Sequence, residues 1–156
     1  MLKKFNIISL LTVSLLVVSC GYKRIADNKP SIHFQEIVVN GENKISYLLK
    51  NNINLISDKN SKNKYDLVIS LTKNKEGKIK NDQGKVVRYV LSIEAKLNLK
   101  DNNNNKSIKK TFSKKNDFDV TATHSETINN ERVATKIIIQ QLTDEIINFI
   151  TFSYKN

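Results

Sequence analysis

Residues 87–99 read Val-Arg-Tyr-Val-Leu-Ser-Ile-Glu-Ala-Lys-Leu-Asn-Leu. Every second side chain is apolar: Val87, Tyr89, Leu91, Ile93, Ala95, Leu97 and Leu99 fall on one face. Arg88, Ser92, Glu94, Lys96 and Asn98 fall on the other. A period of two with one apolar face defines an antiparallel strand that buries one side and wets the other. The buried side needs a second layer, so the rest of the chain must supply elements with a matching apolar face.

Downstream, Lys100-Asp101 and the four asparagines Asn102 to Asn105 make a turn. Ser107 to Val120 then returns as a further strand with Ile108, Phe112, Phe118 and Val120 as its apolar residues. Lys114-Lys115-Asn116 interrupts that pattern and marks a candidate bulge. Upstream, Tyr65, Leu67, Ile69 and Leu71 alternate with Asp66, Ser70 and Thr72, with Val68 out of phase, which is another strand. Lys73 to Lys85 is charged and holds Gly77 and Gly84, so it reads as a mobile hairpin loop. Ile32 to Val39 is β-branched and aromatic enough for a first strand, ended by Asn40-Gly41.

Two stretches carry the helical period instead. Ile45, Leu48, Leu49, Ile53 and Ile56 form one stripe. Ala134, Ile138, Ile139, Leu142, Ile146, Phe149 and Ile150 form a broader one near the C-terminus, and Thr123 and Glu126 have capping-box spacing for its start. The fold class is therefore α+β, a two-layer sandwich with two helices packed on one face of a four-stranded sheet, in the order β-α-β-β-β-α. Leu91, Ile93, Leu97, Leu142 and Ile146 should lie between the layers.

The N-terminus has a different logic. Lys3 and Lys4 precede an apolar run from Ile7 to Val18, and Val17-Val18-Ser19-Cys20 follows the order of a bacterial lipobox. The run is long enough for a signal-peptide core and too short for a permanent membrane span. Residues 1–19 are thus expected to be removed as a lipoprotein signal peptide, with Cys20 acylated and residues 20–31 serving as a tether. Residues 32–156 are expected to form a single domain. Gly21, standing where an aspartate would retain the protein in the inner membrane, points to the outer membrane and its periplasmic face. The only cysteine is spent on the lipid, which leaves none for a disulfide or a thiolate ligand.

Charge is concentrated in the middle of the chain. The whole sequence carries +11, residues 73–115 carry +9, and residues 116–156 carry −3. Twenty-three of the 26 cations are lysine, so a composition-driven solvated face competes with a dedicated anion site. For an exported, lipid-anchored domain the expected anions are lipid phosphates and not nucleic acid. Lys85, Arg88, Lys96, Lys109 and Lys110 are the candidate cations.

Nothing in the chain organises catalysis. His33 sits among strand residues, His124 at a helix start, and Asp117 and Asp119 share a strand face without further oxygen ligands. No phosphate loop, serine elbow or HExxH motif occurs. The expectation is a binding protein without catalytic residues, metal or cofactor.

The lipobox with Cys20-Gly21-Tyr22, a short tether, and β-α-β-β-β-α with long middle hairpins and a terminal helix together resemble the LPS-assembly lipoprotein family, LptE, over the whole chain. The resemblance implies a subunit of the outer-membrane lipopolysaccharide translocon. Such a lipoprotein plugs and helps assemble an LptD-like β-barrel and contacts lipopolysaccharide during its passage to the outer leaflet. The Tyr22-Lys23-Arg24 segment departs from the apolar and proline-containing residues expected after the cysteine. An auxiliary lipoprotein of a lipid ABC transporter, or an activator of a cell-wall synthase, would use the same anchor and the same kind of domain.

Overall fold

A computed structural model describes residues 32–153. The expected signal peptide, Cys20 and the tether lie outside the described residues. In chain order the elements are β1 (His33–Asn40), α1 (Asn43–Asn54), β2 (Lys64–Lys80), β3 (Val86–Asp101), β4 (Ser107–Asp119) and α2 (His124–Ser153). The sheet runs β1-β2-β3-β4, with β1 parallel to β2 and the other neighbours antiparallel. The α1 crossover is what allows the one parallel pair, because parallel strands cannot be joined by a tight turn.

The alternation of β3 does what its pattern requires. Leu91, Ile93, Ala95, Leu97 and Leu99 are buried, as are Tyr65, Leu67, Ile69 and Leu71 on β2 and Phe112 and Phe118 on β4. Against them pack Ile45, Leu49 and Ile53 of α1 and Ala134, Ile138, Ile139, Leu142, Ile146 and Ile150 of α2. All of these belong to one contiguous core, so both helices lie on one face. Phe112 and Phe149 meet edge-on at 5.6 Å between ring centroids, which ties β4 to the end of α2.

Helix α2 begins where the capping spacing puts it. Thr123 Oγ1 accepts from the Glu126 amide at 3.3 Å, and an acidic residue in the first turn suits the helix dipole. Helix α1 has no such help. Its Glu42 cap makes no side-chain hydrogen bond, and no acidic residue lies in its first turn. Its apolar stripe against the sheet holds it instead.

Two local expectations are corrected. Residues 73–80 are not a loop: β2 continues through them, paired with Val86 to Ile93, and only Asn81 to Lys85 turn. Their lysines and glycine are poor local strand formers, but β3 supplies a complete hydrogen-bonding ladder, and pairing overrides propensity. Gly77 opposes Tyr89, and the register shifts just beyond it, between Gly77 and Lys80. The bulge expected at Lys114-Lys115-Asn116 is absent, since β3 and β4 stay in one register from Arg88–Asp119 to Lys100–Ser107. On β1 the register shifts between Phe34 and Glu36.

Candidate functional site

The face of the sheet away from the helices is polar, and the strand registers place its residues. Lys96 lies between Ser70 on β2 and Thr111 on β4, and Asn98 lies between Val68 and Lys109. Together they line a shallow depression of about 510 Å³. Lys96 and Lys109 are diagonal neighbours, a relation that places side chains roughly 7–8 Å apart. Lys96 has Glu94 at 3.4 Å, whereas Lys109 has no acidic partner among the described residues.

The other candidate cations lie elsewhere. Arg88 shares the polar face but sits eight residues from Lys96, about 27 Å along the strand. Its Nε and Nη2 donate to the two carboxylate oxygens of Asp119 at 2.6 and 3.2 Å. That fork raises the Arg88 pKa and lowers that of Asp119, the hydrogen bond being the main cause in both. Asp117 pairs with Lys78. The two carboxylates on β4 therefore answer cations on β3 and β2. Lys85 is in the exposed turn at the tip of the β2–β3 hairpin, its amide donating to Asn81 Oδ1 at 2.9 Å. Lys110 points to the helix side, with Nζ 6.0 Å from the centroid of the Phe149 ring. The structure thus brings Lys96 and Lys109 together, leaves Arg88 at the far end of the same face, and sets Lys85 at the hairpin tip and the Lys110 ammonium on the opposite face.

A second polar constellation arises from the half of β2 that continues past Thr72. Keeping the period of two, Lys73 and Lys75 turn toward the helices. Lys73 Nζ is 3.0 Å from Glu131 and 3.5 Å from Glu42, and Lys75 Nζ is 3.0 Å from Glu131. Lys73, Glu42 and Glu131 line a cleft of about 460 Å³ between the helices, together with Ile45, Leu48, Ile128, Arg132 and Lys136 among others. Continuing the alternation of Leu67, Ile69 and Leu71 by two steps would have placed both lysines on this face.

Burial raises the Glu131 carboxyl and the hydrogen bonds from Lys75 and Lys73 lower it, with a net fall from its ordinary value of 4.5. A carboxylate with a lowered folded pKa adds stability above its unfolded value and loses it as pH falls through the folded one. Wild type is therefore expected to lose stability below about pH 4.5 more steeply than Glu131→Gln. The difference should be about 1 kcal/mol or less, the scale of partly exposed ion pairs. Urea midpoints at pH 7 and pH 3 measure it, and parallel pH profiles would remove the assignment.

His33 Nδ1 lies 3.4 Å from Ser57 Oγ, and His124 is exposed at the start of α2. Among the described residues no three or more His, Cys, Asp or Glu side chains gather to hold a metal ion. No helix among them is long and apolar enough to cross a membrane.

The fold is similar to that of solved bacterial proteins described as lipoproteins. One, a candidate lipoprotein of Caulobacter crescentus CB15, aligns with a TM-score of 0.56 at 18% identity, covering 78% of this chain and 89% of that one. Another, rare lipoprotein B of Shewanella oneidensis, aligns with a TM-score of 0.56 at 11% identity, covering 76% of this chain and 95% of that one. At these identities the likeness is one of fold. No family model matches the chain, and no curated protein does.

Proposed function

We propose that the protein is an outer-membrane lipoprotein on the periplasmic face that serves the lipopolysaccharide translocon, plugging and helping to assemble an LptD-like β-barrel and contacting lipopolysaccharide. It acts by binding and not by catalysis. The observation that carries the reading is the lipobox Val17 to Cys20 ahead of a β-α-β-β-β-α domain. A fold shared with proteins described as lipoproteins supports it. A lipid-anchored domain has a partner as its natural object, and +9 over residues 73–115 suits a phosphorylated glycolipid.

Two measurements test it. Cys20→Ala is expected to abolish acylation and release the protein from the outer membrane. Retention there, with no loss of lipid mass, would remove the anchor. Binding of lipopolysaccharide at low and moderate salt is expected to fall several-fold with salt and again in Arg88→Glu combined with Lys96→Glu, because exposed cation–phosphate contacts are screened. Equal binding by both proteins would clear these cations, leaving the reading to crosslinking of a large β-barrel in intact envelopes.

A further inference from the structure

The two edges of the sheet are finished differently. On β1, the Phe34 amide donates to Ser57 Oγ at 3.1 Å, the Ile32 carbonyl accepts from the Asp58 amide at 2.8 Å, and the register shifts at Gln35. A neighbouring turn and an irregularity thus blunt that edge.

Strand β4 has none of this over its middle. The Val120 amide donates to the Val87 carbonyl at 2.9 Å, and the Asp101 amide donates to the Lys106 carbonyl at 2.8 Å, in the same register that runs through the whole pair. Antiparallel pairs alternate between bonded and non-bonded positions. The backbone groups of Ile108, Lys110, Phe112, Lys114, Asn116 and Phe118 therefore face β3. Those of Lys109, Thr111, Ser113, Lys115 and Asp117 face outward. No described element pairs with them, and only the end of the strand is covered, where Asn130 Nδ2 donates to the Asp119 carbonyl at 3.1 Å.

The same odd residues put their side chains on the polar face, and their charges are not equally satisfied. Asp117 is taken by Lys78 and Asp119 by Arg88. On the helix side Lys114 is taken by Glu145 at 2.7 Å. Lys109 and Lys115 have no acidic partner among the described residues. Between them Thr111 and Ser113 are small, exposed and unobstructive.

We infer that the outer edge of β4 between Lys109 and Lys115 is a docking site for an extended acidic strand of a partner protein, added to the sheet as a fifth strand. Backbone hydrogen bonds to the outward groups of Lys109, Thr111, Ser113 and Lys115 hold it, as in other strand additions. Two carboxylates six residues apart on one face of the incoming strand meet the two free lysines. The intervening alternate residues face Phe112 and the side of α2, which favours β-branched apolar side chains there. A second copy of β4 fits less well, because its own carboxylates are already engaged and both copies bring unpaired lysines. The site does not depend on the translocon reading.

The test uses the full chain in detergent with a blocked peptide, Glu-Val-Thr-Val-Thr-Val-Glu, and a control with lysine at both ends. Hydrogen exchange resolved by residue should show the amides of Lys109, Thr111, Ser113 and Lys115 exchanging fast in the free protein and slowing at least tenfold with the acidic peptide. The lysine peptide should have no effect. Ser113→Pro removes an outward donor without touching the β3 ladder, and proline is tolerated at such edge positions. It should abolish the protection while the amides of β2 and β3 stay protected. Lys109→Glu with Lys115→Glu should reverse the preference to the lysine peptide, and it serves if the proline variant does not fold. Protection confined to other strands, or unchanged in both variants, would overturn the site. Concentration-dependent protection of the β4 edge without peptide would overturn the acidic partner in favour of a second copy.

Discussion

Leu142→Ala is expected to lower the stability of the folded domain by about 2–5 kcal/mol, the range for deleting a large buried aliphatic side chain and leaving a cavity. Leu142 is fully buried, as are Ile138, Ile139 and Ile146 around it on α2 and Leu91, Ile93 and Leu99 on the facing strand. The cost should approach the upper part of that range. The site cannot collapse easily, because neighbouring Thr143 ties α2 to α1: its hydroxyl accepts from Asn52 Nδ2 of α1 at 3.3 Å while donating to the Ile139 carbonyl of its own helix at 2.7 Å. A helix tied to its neighbour in this way relaxes little into a void. Denaturant midpoints with unchanged slope measure the loss. A change below about 0.5 kcal/mol, the size of ordinary surface substitutions, would mean that α2 contributes little to the core.

The residues that make this core were legible because each element announces its buried face within its own length. The seven alternate apolar residues of β3 and the stripe of α2 need no partner to be recognised, and two amphipathic helices with a half-wet sheet leave one economical arrangement. The second half of β2 was not legible. Lys73 to Lys80 carries polar or charged residues on both faces, with Lys73 and Lys75 meeting Glu131 of α2 on the helix side, and only the opposing strand makes it a strand. The candidate site was legible in the same proportion. Alternation alone put Arg88 and Lys96 on the polar face, but it said nothing of Asp119, which neutralises Arg88 from thirty-one residues away. The Asn102 to Asn105 turn fixes the register that brings those two together, so the pair was implicit in the hairpin. Glu131 meeting Lys73 and Lys75 was not, since it depends on how α2 crosses the sheet.

Gly41→Ala is expected to be the other costly change, and the reason lies in the backbone. Gly41 joins β1 to α1 with φ +140°, where a side chain is strained, at a cost of about 1–3 kcal/mol. Space is also lacking: a Cβ there would stand 2.8 Å from the Leu71 carbonyl oxygen and 3.0 Å from the Leu71 Cβ. Leu71 is buried in β2 beside the turn, and a backbone carbonyl in a ladder cannot swing away as a flexible side chain could. Either the parallel β1–β2 pair or the start of α1 must shift, and α1 has no side-chain cap to hold it in place. Gly84 supplies the comparison. It also has a positive φ, +76°, in the hairpin turn, but a Cβ there meets nothing within 4 Å. Gly84→Ala should therefore cost only the left-handed conformation, about 1–2 kcal/mol, while Gly41→Ala exceeds it by the steric contribution. Urea unfolding of the two variants side by side measures that difference. Equal losses would mean that the close approach at Leu71 adds nothing, and that conformation alone explains why a glycine stands between β1 and α1.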